Sequence, residues 1–385
     1  MIKIAILGAG NAGCFTALQL ADLALDTGLS LHINIIYDPT KPAEKVGQAT
    51  FPHHPHLLWN VLPDEFNWYK NQLDATLKTG ILYEGWGGLN DKVMHPFPAK
   101  NVGMHFYPKK LQELVVNSKV FDITHADIKD YSEVDADYIF DCRGKPKKDD
   151  GYKSLVTPVN SVLLAKPKWD TSNLSYTRAV ATPDGWSFIL PTKPDSPSSQ
   201  GALGYLYHKD ITQKQDAINN LKKQFDAYIT GHLEFKSYLA DEPVIDKRIF
   251  LNGNRLYFLE PLEATASFVH THWVTQCWTQ IVRQKENRTE LLTAYIHEKI
   301  HQIEKFILWH YENGSKYNTK FWKHARNLRL PKDERFDSLI RLFSDSHISN
   351  IKQLEQHGRL NGFGCWSPSS LKYWYDGMYK KSKKT

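Results

Sequence analysis

Cysteine is scarce: Cys14, Cys142, Cys277 and Cys365 are the whole supply in 385 residues. They stand far apart without metal-ligand spacing, which excludes a zinc module and a disulfide-stapled scaffold. They read as reduced, buried thiols, and no metal site is expected. No apolar stretch approaches the roughly 20 residues of a membrane helix, so no spanning segment is expected. A first strand pattern begins at Ile2, so no secretory leader is expected, and the expected location is cytoplasmic. A basic stripe is also missing. Net charge is +6, but Lys380, Lys381, Lys383 and Lys384 supply much of the excess in one run. Such a run is usually a solvated tail, and no nucleic-acid partner is expected. No internal repeat is present.

Aromatic residues, in contrast, are plentiful: they make up 12% of the chain and include 11 Trp. Most such rings pack a core, and a minority are available to wall a planar ligand. The hydrophobic fraction of 41% supports a packed fold and excludes wholesale disorder.

The pattern opens as βαβ. An apolar strand at residues 2–7 leads through a glycine turn into a helix carrying Phe15, Leu18, Leu20 and Leu23, and a second strand follows at 31–37. This predicts a parallel sheet. Further on, residues 111–116 read as helix, and 120–128 and 136–142 as strands. The period falls to two over about 145–207, which predicts an antiparallel sheet inserted into the first domain. A helix is expected over 213–229, a strand over 251–259, and helices from there to about 356. The fold class is therefore α/β, with an inserted antiparallel sheet and a C-terminal helical layer. Segments are expected at 1–144, 145–210, 211–272 and 273–385.

Gly8-Ala9-Gly10-Asn11-Ala12-Gly13 lies between the first strand and the helix, the context a dinucleotide turn requires. Gly8 permits the turn, Gly10 lets backbone approach a pyrophosphate, and Gly13 lets helix and strand pack closely. The amides of Asn11 and Ala12 open the helix, whose N-terminus attracts phosphate. Asp38 closes the second strand, where an acid holds a ribose hydroxyl. A glycine-rich turn that binds nothing leaves this convergence unexplained. Phe140-Asp141-Cys142-Arg143-Gly144 resembles a strand of FAD-dependent hydroxylase-like proteins.

Five further stretches resemble the flavin-dependent halogenases, of which the tryptophan halogenases are a branch. Val46-Gly47-Gln48-Ala49-Thr50-Phe51-Pro52 is similar to the family's segment over the flavin, with Gln48 in place of its glutamate. Asp74-Ala75-Thr76-Leu77-Lys78-Thr79-Gly80-Ile81 is similar to the segment bearing the catalytic lysine, and Lys78 falls on it. His95-Pro96-Phe97 resembles the pair that flanks the aromatic substrate. Gly185-Trp186-Ser187-Phe188-Ile189-Leu190-Pro191 resembles the family's Trp-x-Trp-x-Ile-Pro stretch, with Phe188 for the second Trp and Leu190 for Ile. Phe258-Leu259-Glu260-Pro261-Leu262-Glu263-Ala264-Thr265-Ala266 places Glu263 on the catalytic glutamate, with Ala264 for the usual Ser. A fainter echo is Trp309-His310-Tyr311 followed by Phe321-Trp322. The likeness runs from residue 4 to about 326.

Each stretch also has a plainer reading. Trp186, Phe188 and Leu190 share one face of a strand and fit a core as well as a passage wall. Lys78 fits a surface lysine. Glu263 fits a charge that complements a helix dipole. Pro261 suits a first helical turn, so a helix is expected to start near Leu262. The amides of Thr265 and Ala266 would then lack intrahelical partners and suit a halide.

The resemblance implies FAD, used as FADH2, held by Gly8, Gly10, Asn11, Ala12, Gly13, Asp38, Gly47, Ala49, Thr50 and Leu259. It implies a halide (bromide, iodide or chloride) oxidised to hypohalous acid at Thr265 and Ala266. The oxidant then passes Trp186 and Phe188 to Lys78, meeting a ring gripped by His95 and Phe97 near Glu263. A separate flavin reductase and an aromatic small molecule are the implied partners, and homo-oligomers stay open. The competing readings are a flavin-dependent aromatic monooxygenase and a non-catalytic flavin-binding relative.

Overall fold

The computed structural model describes residues 1–44, 46–68, 72–87, 91–98, 101–145, 150–191, 201–282 and 287–379. The terminal lysine run lies outside these residues, as do parts of the 145–207 stretch. The chain divides into two compact units. The first comprises Met1–Leu77, Gly103–Leu155 and Ser237–Glu298; the second comprises Lys78–Val102, Val156–Lys236 and Lys299–Thr385.

The first unit is built on a six-stranded sheet in the order Val244–Ile245, Ile249–Leu251, Tyr138–Asp141, Ile2–Leu7, Leu31–Tyr37, Asp122–His125. All neighbours but the first pair run parallel. Parallel strands are covered on both faces, so they read as unbroken apolar runs, and Ile4, Ala5, Ile6 and Leu7 are all buried. The helix Asn11–Thr27 packs between this sheet and the helix Thr265–Val282. Asn252 fastens that arrangement: its Nδ2 donates to Thr16 Oγ1 at 2.9 Å and to the His270 carbonyl at 3.0 Å. The expected strand over 251–259 is broken by the turn Gly253–Arg255, where Gly253 has φ 58°. A Cβ at Gly253 would lie 2.4 Å from the Ala12 Cβ, so glycine lets this turn close on the start of the first helix.

The second unit holds a seven-stranded sheet in the order Ala227–Glu234, Ser161–Pro167, Ala202–Tyr207, Gly185–Leu190, Thr177–Thr182, Gly80–Glu84, Lys92–Pro96. The antiparallel sheet expected from period-two patterning is present, but the last two strands come from well before it in sequence. Thr177–Thr182 joins Gly80–Glu84 in parallel. Register sorts the side chains cleanly. Ile189, Leu203, Tyr205, Leu163 and Ala165 form one face, covered by Ala217, Leu221 and Phe225 of the helix side. That helix is Lys214–Gln224, shorter than the expected 213–229. Tyr228 and Ile229 favour strand and pair instead with Lys166 and Ala165. Helices Glu334–Asp345, Ile348–Gln356 and Pro368–Trp374 complete the expected C-terminal layer.

Candidate active site

The glycine turn of the first unit is closed where it must be and open where a ligand would come. Gly8 has φ 101°, and a Cβ there would stand 3.1 Å from the Cys142 carbonyl oxygen. A Cβ at Gly13 would overlap the Gly8 carbonyl oxygen at 1.8 Å. At Gly10 a Cβ would meet nothing within 4 Å among the described residues. Gly10 caps the helix without a side chain, so the first-turn amides keep their positive end exposed to an incoming group. Asn11 adds an acceptor. Its Nδ2 donates to Glu44 Oε2 at 3.1 Å, and Oδ1 is buried without a donor among the described residues. Gln48 Nε2 reaches the same carboxylate oxygen at 3.2 Å, so Glu44 links the helix start to the 46–52 stretch. Asp38 accepts the amide of Thr40 at 2.9 Å and its hydroxyl at 2.7 Å, and these bonds hold its carboxyl below the usual range. The open Gly10, the free helix end and the orphaned Asn11 oxygen fit the phosphates and hydroxyls of a dinucleotide.

The 46–52 stretch is tied in at several points. Gly47 is buried, Ala49 is half-buried, and Gln48–Ala49 pairs with Gly103–Phe106. Thr50 is fully buried; its amide donates to the Met104 carbonyl at 2.8 Å, and its Oγ1 accepts the Met104 amide at 3.0 Å.

Leu259 is buried just ahead of the glutamate turn. The helix expected near Leu262 begins only at Thr265. Glu263 (φ 67°) and Ala264 (φ 54°) are both left-handed, which α-helix does not allow. Glu263 is thus not a helix-start charge but a buried carboxyl on a strained turn. Left-handed Ala264 followed by right-handed Thr265 turns successive amides to one side, the arrangement that cradles anions. Ser267, which sequence reasoning passed over, holds this turn. Its hydroxyl donates to the Ala264 carbonyl at 3.2 Å and accepts the Phe51 amide at 3.2 Å. His54 stands 3.0 Å from the Ser267 carbonyl, and burial pulls its imidazole down to about 3, so the ring is neutral at neutral pH. No sequence cue marked Ser267. His54 had only its place in a His-rich run.

In the second unit Lys78 is fully buried, with its ammonium 5.1 Å from the centroid of the Phe97 ring. Its neighbour Thr79 accepts the Phe97 amide at 2.8 Å, and Gly80 lets the two segments close: a Cβ there would stand 2.4 Å from the His95 carbonyl oxygen. Across the sheet, Ile81 pairs with His95, Tyr83 with Ala179, Ala179 with Phe188 and Ala181 with Trp186. Paired residues point to one side, so His95, Tyr83, Trp186 and Phe188 share the face opposite the Lys214–Gln224 helix. The helices after residue 299 cover that face with aromatic rings. Trp86 meets Trp186 at 6.5 Å, Tyr311 at 5.4 Å and Trp322 at 5.3 Å. His310 Nδ1 lies 2.7 Å from the Phe306 carbonyl and donates to it, and Nε2 lies 3.0 Å from the Tyr83 hydroxyl. His95 is nearly buried, and its Nε2 lies 2.8 Å from Ser370 Oγ. Ser370 was also missed, although the run Ser367-Pro368-Ser369-Ser370 marks a helix start, which Ser367 caps.

The family model described as tryptophan halogenase matches residues 3–120 and 99–361 of this chain. Among solved structures, the lanthipeptide tryptophan 5-halogenase MibH is 17% identical with a TM-score of 0.78; the alignment covers 98% of this chain and 86% of that one. A tryptophan 6-halogenase from Streptomyces toxytricini is 18% identical with a TM-score of 0.76, covering 98% and 90%. A flavin-dependent halogenase from Xanthomonas campestris is 18% identical with a TM-score of 0.76, covering 98% and 89%. At these identities the likeness to solved structures speaks for the fold. No curated protein matches by sequence.

Proposed function

This chain belongs to the tryptophan halogenase family, and we propose that it halogenates electron-rich aromatic rings with hypohalous acid held at Lys78. The observation that carries the reading is the complete burial of the Lys78 ammonium beside the Phe97 ring. Charged groups held in buried, aromatic surroundings are where proteins commonly do chemistry. FADH2, delivered by a separate flavin reductase, supplies with oxygen the two-electron oxidation of a halide to hypohalous acid.

The residues then divide the remaining work. Gly8, Gly10, Asn11, Ala12 and Gly13 hold the pyrophosphate end of the cofactor and Asp38 a ribose. Gly47, Ala49, Thr50 and Leu259 supply backbone and apolar contact to its remainder. The amides of Thr265 and Ala266 seat the halide. Trp186 and Phe188 wall the path of the oxidant and keep bulky arenes off it. The Lys78 ammonium donates a hydrogen bond to hypohalous acid and polarises the oxygen–halogen bond, which makes the halogen electrophilic. His95 and Phe97 hold the acceptor ring. The Glu263 carboxylate stabilises the cationic ring and takes the proton it loses.

The test is product formation from reduced FAD, oxygen, bromide and an electron-rich indole or phenol. A brominated product that disappears without halide is expected. An oxygenated product made equally well without halide would favour a monooxygenase, and no product a non-catalytic relative. In the Lys78→Met variant, flavin binding and release of oxidant to a halogen-accepting dye should persist while ring halogenation is lost. Retained regioselective halogenation would remove Lys78 from its role.

A further inference from the structure

Trp186, on the aromatic face of the second unit, carries a polar group that its packing does not explain. Trp186 is 2% exposed, and its Nε1–H meets no acceptor among the described residues. Trp374, in the layer behind, is alike in meeting no acceptor among the described residues, but the two indoles nearer to Trp186 along the sheet behave differently. The indole of Trp86 donates to the Ala179 carbonyl at 3.0 Å, and that of Trp322 to the Thr182 carbonyl at 2.7 Å. An indole nitrogen is a donor only, so Trp186 has no other way to satisfy it. Leaving such a donor buried and unmet costs about 1–3 kcal/mol. Phenylalanine would escape this penalty, and Phe188, two residues along on the same face, shows that a phenyl ring is accommodated there.

We infer that the Trp186 indole N–H is a hydrogen-bonding station for a small acceptor crossing this face: hypohalous acid during turnover and water at rest. The inference rests on the proposed function and adds a donor to what was only a wall. The indole lies between Trp86 at 6.5 Å and Phe188 at 6.2 Å, so the rings on both sides offer a polar oxidant no hydrogen bond of their own. The N–H would hold hypohalous acid by its oxygen. That orientation directs the halogen away from C2 and C3 of the same indole, the electron-rich carbons it would otherwise attack. The oxidant then leaves intact toward the acceptor, and no bond is made or broken at Trp186.

Two variants test this. Trp186→Phe removes the donor with some loss of volume. Replacement of Trp186 by 3-benzothienylalanine keeps the bicyclic shape and exchanges only N–H for sulfur, which separates the hydrogen bond from packing. Oxidant formed without arene is measured with the dye in each variant, so that product can be counted per oxidant. Halogenated product per oxidant formed should fall roughly tenfold, the worth of one hydrogen bond. Halogen should also appear on the protein peptide containing Trp86. A high-resolution crystal structure of the wild-type protein, which does not depend on turnover, should show an ordered water on Nε1. An unchanged product-to-oxidant ratio in the benzothienyl protein overturns the inference, as does a dry or carbonyl-bonded Nε1. Wild-type protein that forms no oxidant at all would remove the proposed function, and this station with it.

Discussion

At the scale of single residues, Glu263 joins chemistry to strain. A non-glycine residue at φ 67° is held there by its surroundings, here Ser267 and the Pro261 carbonyl that accepts the Ala264 amide at 3.0 Å. Two substitutions should therefore part company. Glu263→Gln keeps the shape and removes the proposed base, so turnover should drop about 10²–10⁴-fold with stability little changed. Glu263→Gly removes both carboxyl and strain; it should lose turnover equally yet resist denaturation by about 1 kcal/mol more. Rate assays paired with urea unfolding would read this, and equal stability of the two variants would refute the strain. His54 and His270 make a second residue-scale prediction. Burial pulls them to about 3 and about 4, from 6.5 in an open chain. Below about pH 6.5 the unfolded chain takes up protons that the folded one refuses. Their contribution is thus complete above that pH and is lost as pH falls toward 4, at up to about 1.4 kcal/mol per pH unit for each ring. His301 is raised by Glu304 and works in the opposite direction, but it is one ring against six, since His53, His208, His232 and His297 are lowered as well. The urea midpoint should fall from pH 7 to pH 5, and a flat profile would contradict this.

At the scale of elements, the helix Pro368–Trp374 was legible only in part. Its capping serine and proline announce a helix, but nothing in the sequence says that Ser370 ends against His95, 275 positions away. Such contacts are made by packing, and a local pattern cannot report them. The parallel sheet was readable because buried parallel strands are continuous apolar runs, and 2–7 and 31–37 are such runs. The glycine turn was readable because its three glycines answer steric demands that lie within a few residues. The start of the helix after Pro261 was misplaced. Proline permits a first turn there, while the left-handed pair that delays it depends on Ser267 and Phe51, the latter over two hundred residues away. The Ser370 contact predicts an effect of its own. Ser370→Ala frees the His95 ring to turn, so the ratio of ring isomers in the product should shift, while oxidant release to the dye stays as in wild type. Ser370→Thr, which keeps the hydroxyl, should restore the ratio. An unaltered isomer ratio in the alanine variant would make the contact merely structural.

At the scale of the molecule, substrate choice follows from what covers the aromatic face of the second unit. Tyr83, Trp86, Trp186 and Phe188 present rings, and Trp309, Trp366 and Trp374 build the layer behind them. The polar groups among them are largely committed: Tyr83 to His310, His310 to the Phe306 carbonyl, and His95 to Ser370. A site made this way grips a flat ring but has few donors or acceptors to spare for the charged amine and carboxylate of an amino acid. Apolar contacts separate close analogues by only about 1–3 kcal/mol, whereas unmet buried polar groups reject them far more strongly. Phenols, anilines and indoles without charged substituents should therefore be halogenated with kcat/KM values within about two hundredfold of one another. Free tryptophan should fall at or below the bottom of that range. The measurement is a competition panel of equimolar arenes with bromide, each product quantified by mass and the isomers resolved. Exclusive turnover of tryptophan at a single ring carbon would mean that fixed polar partners for its amino-acid end exist after all. Their place would then lie beyond this aromatic face.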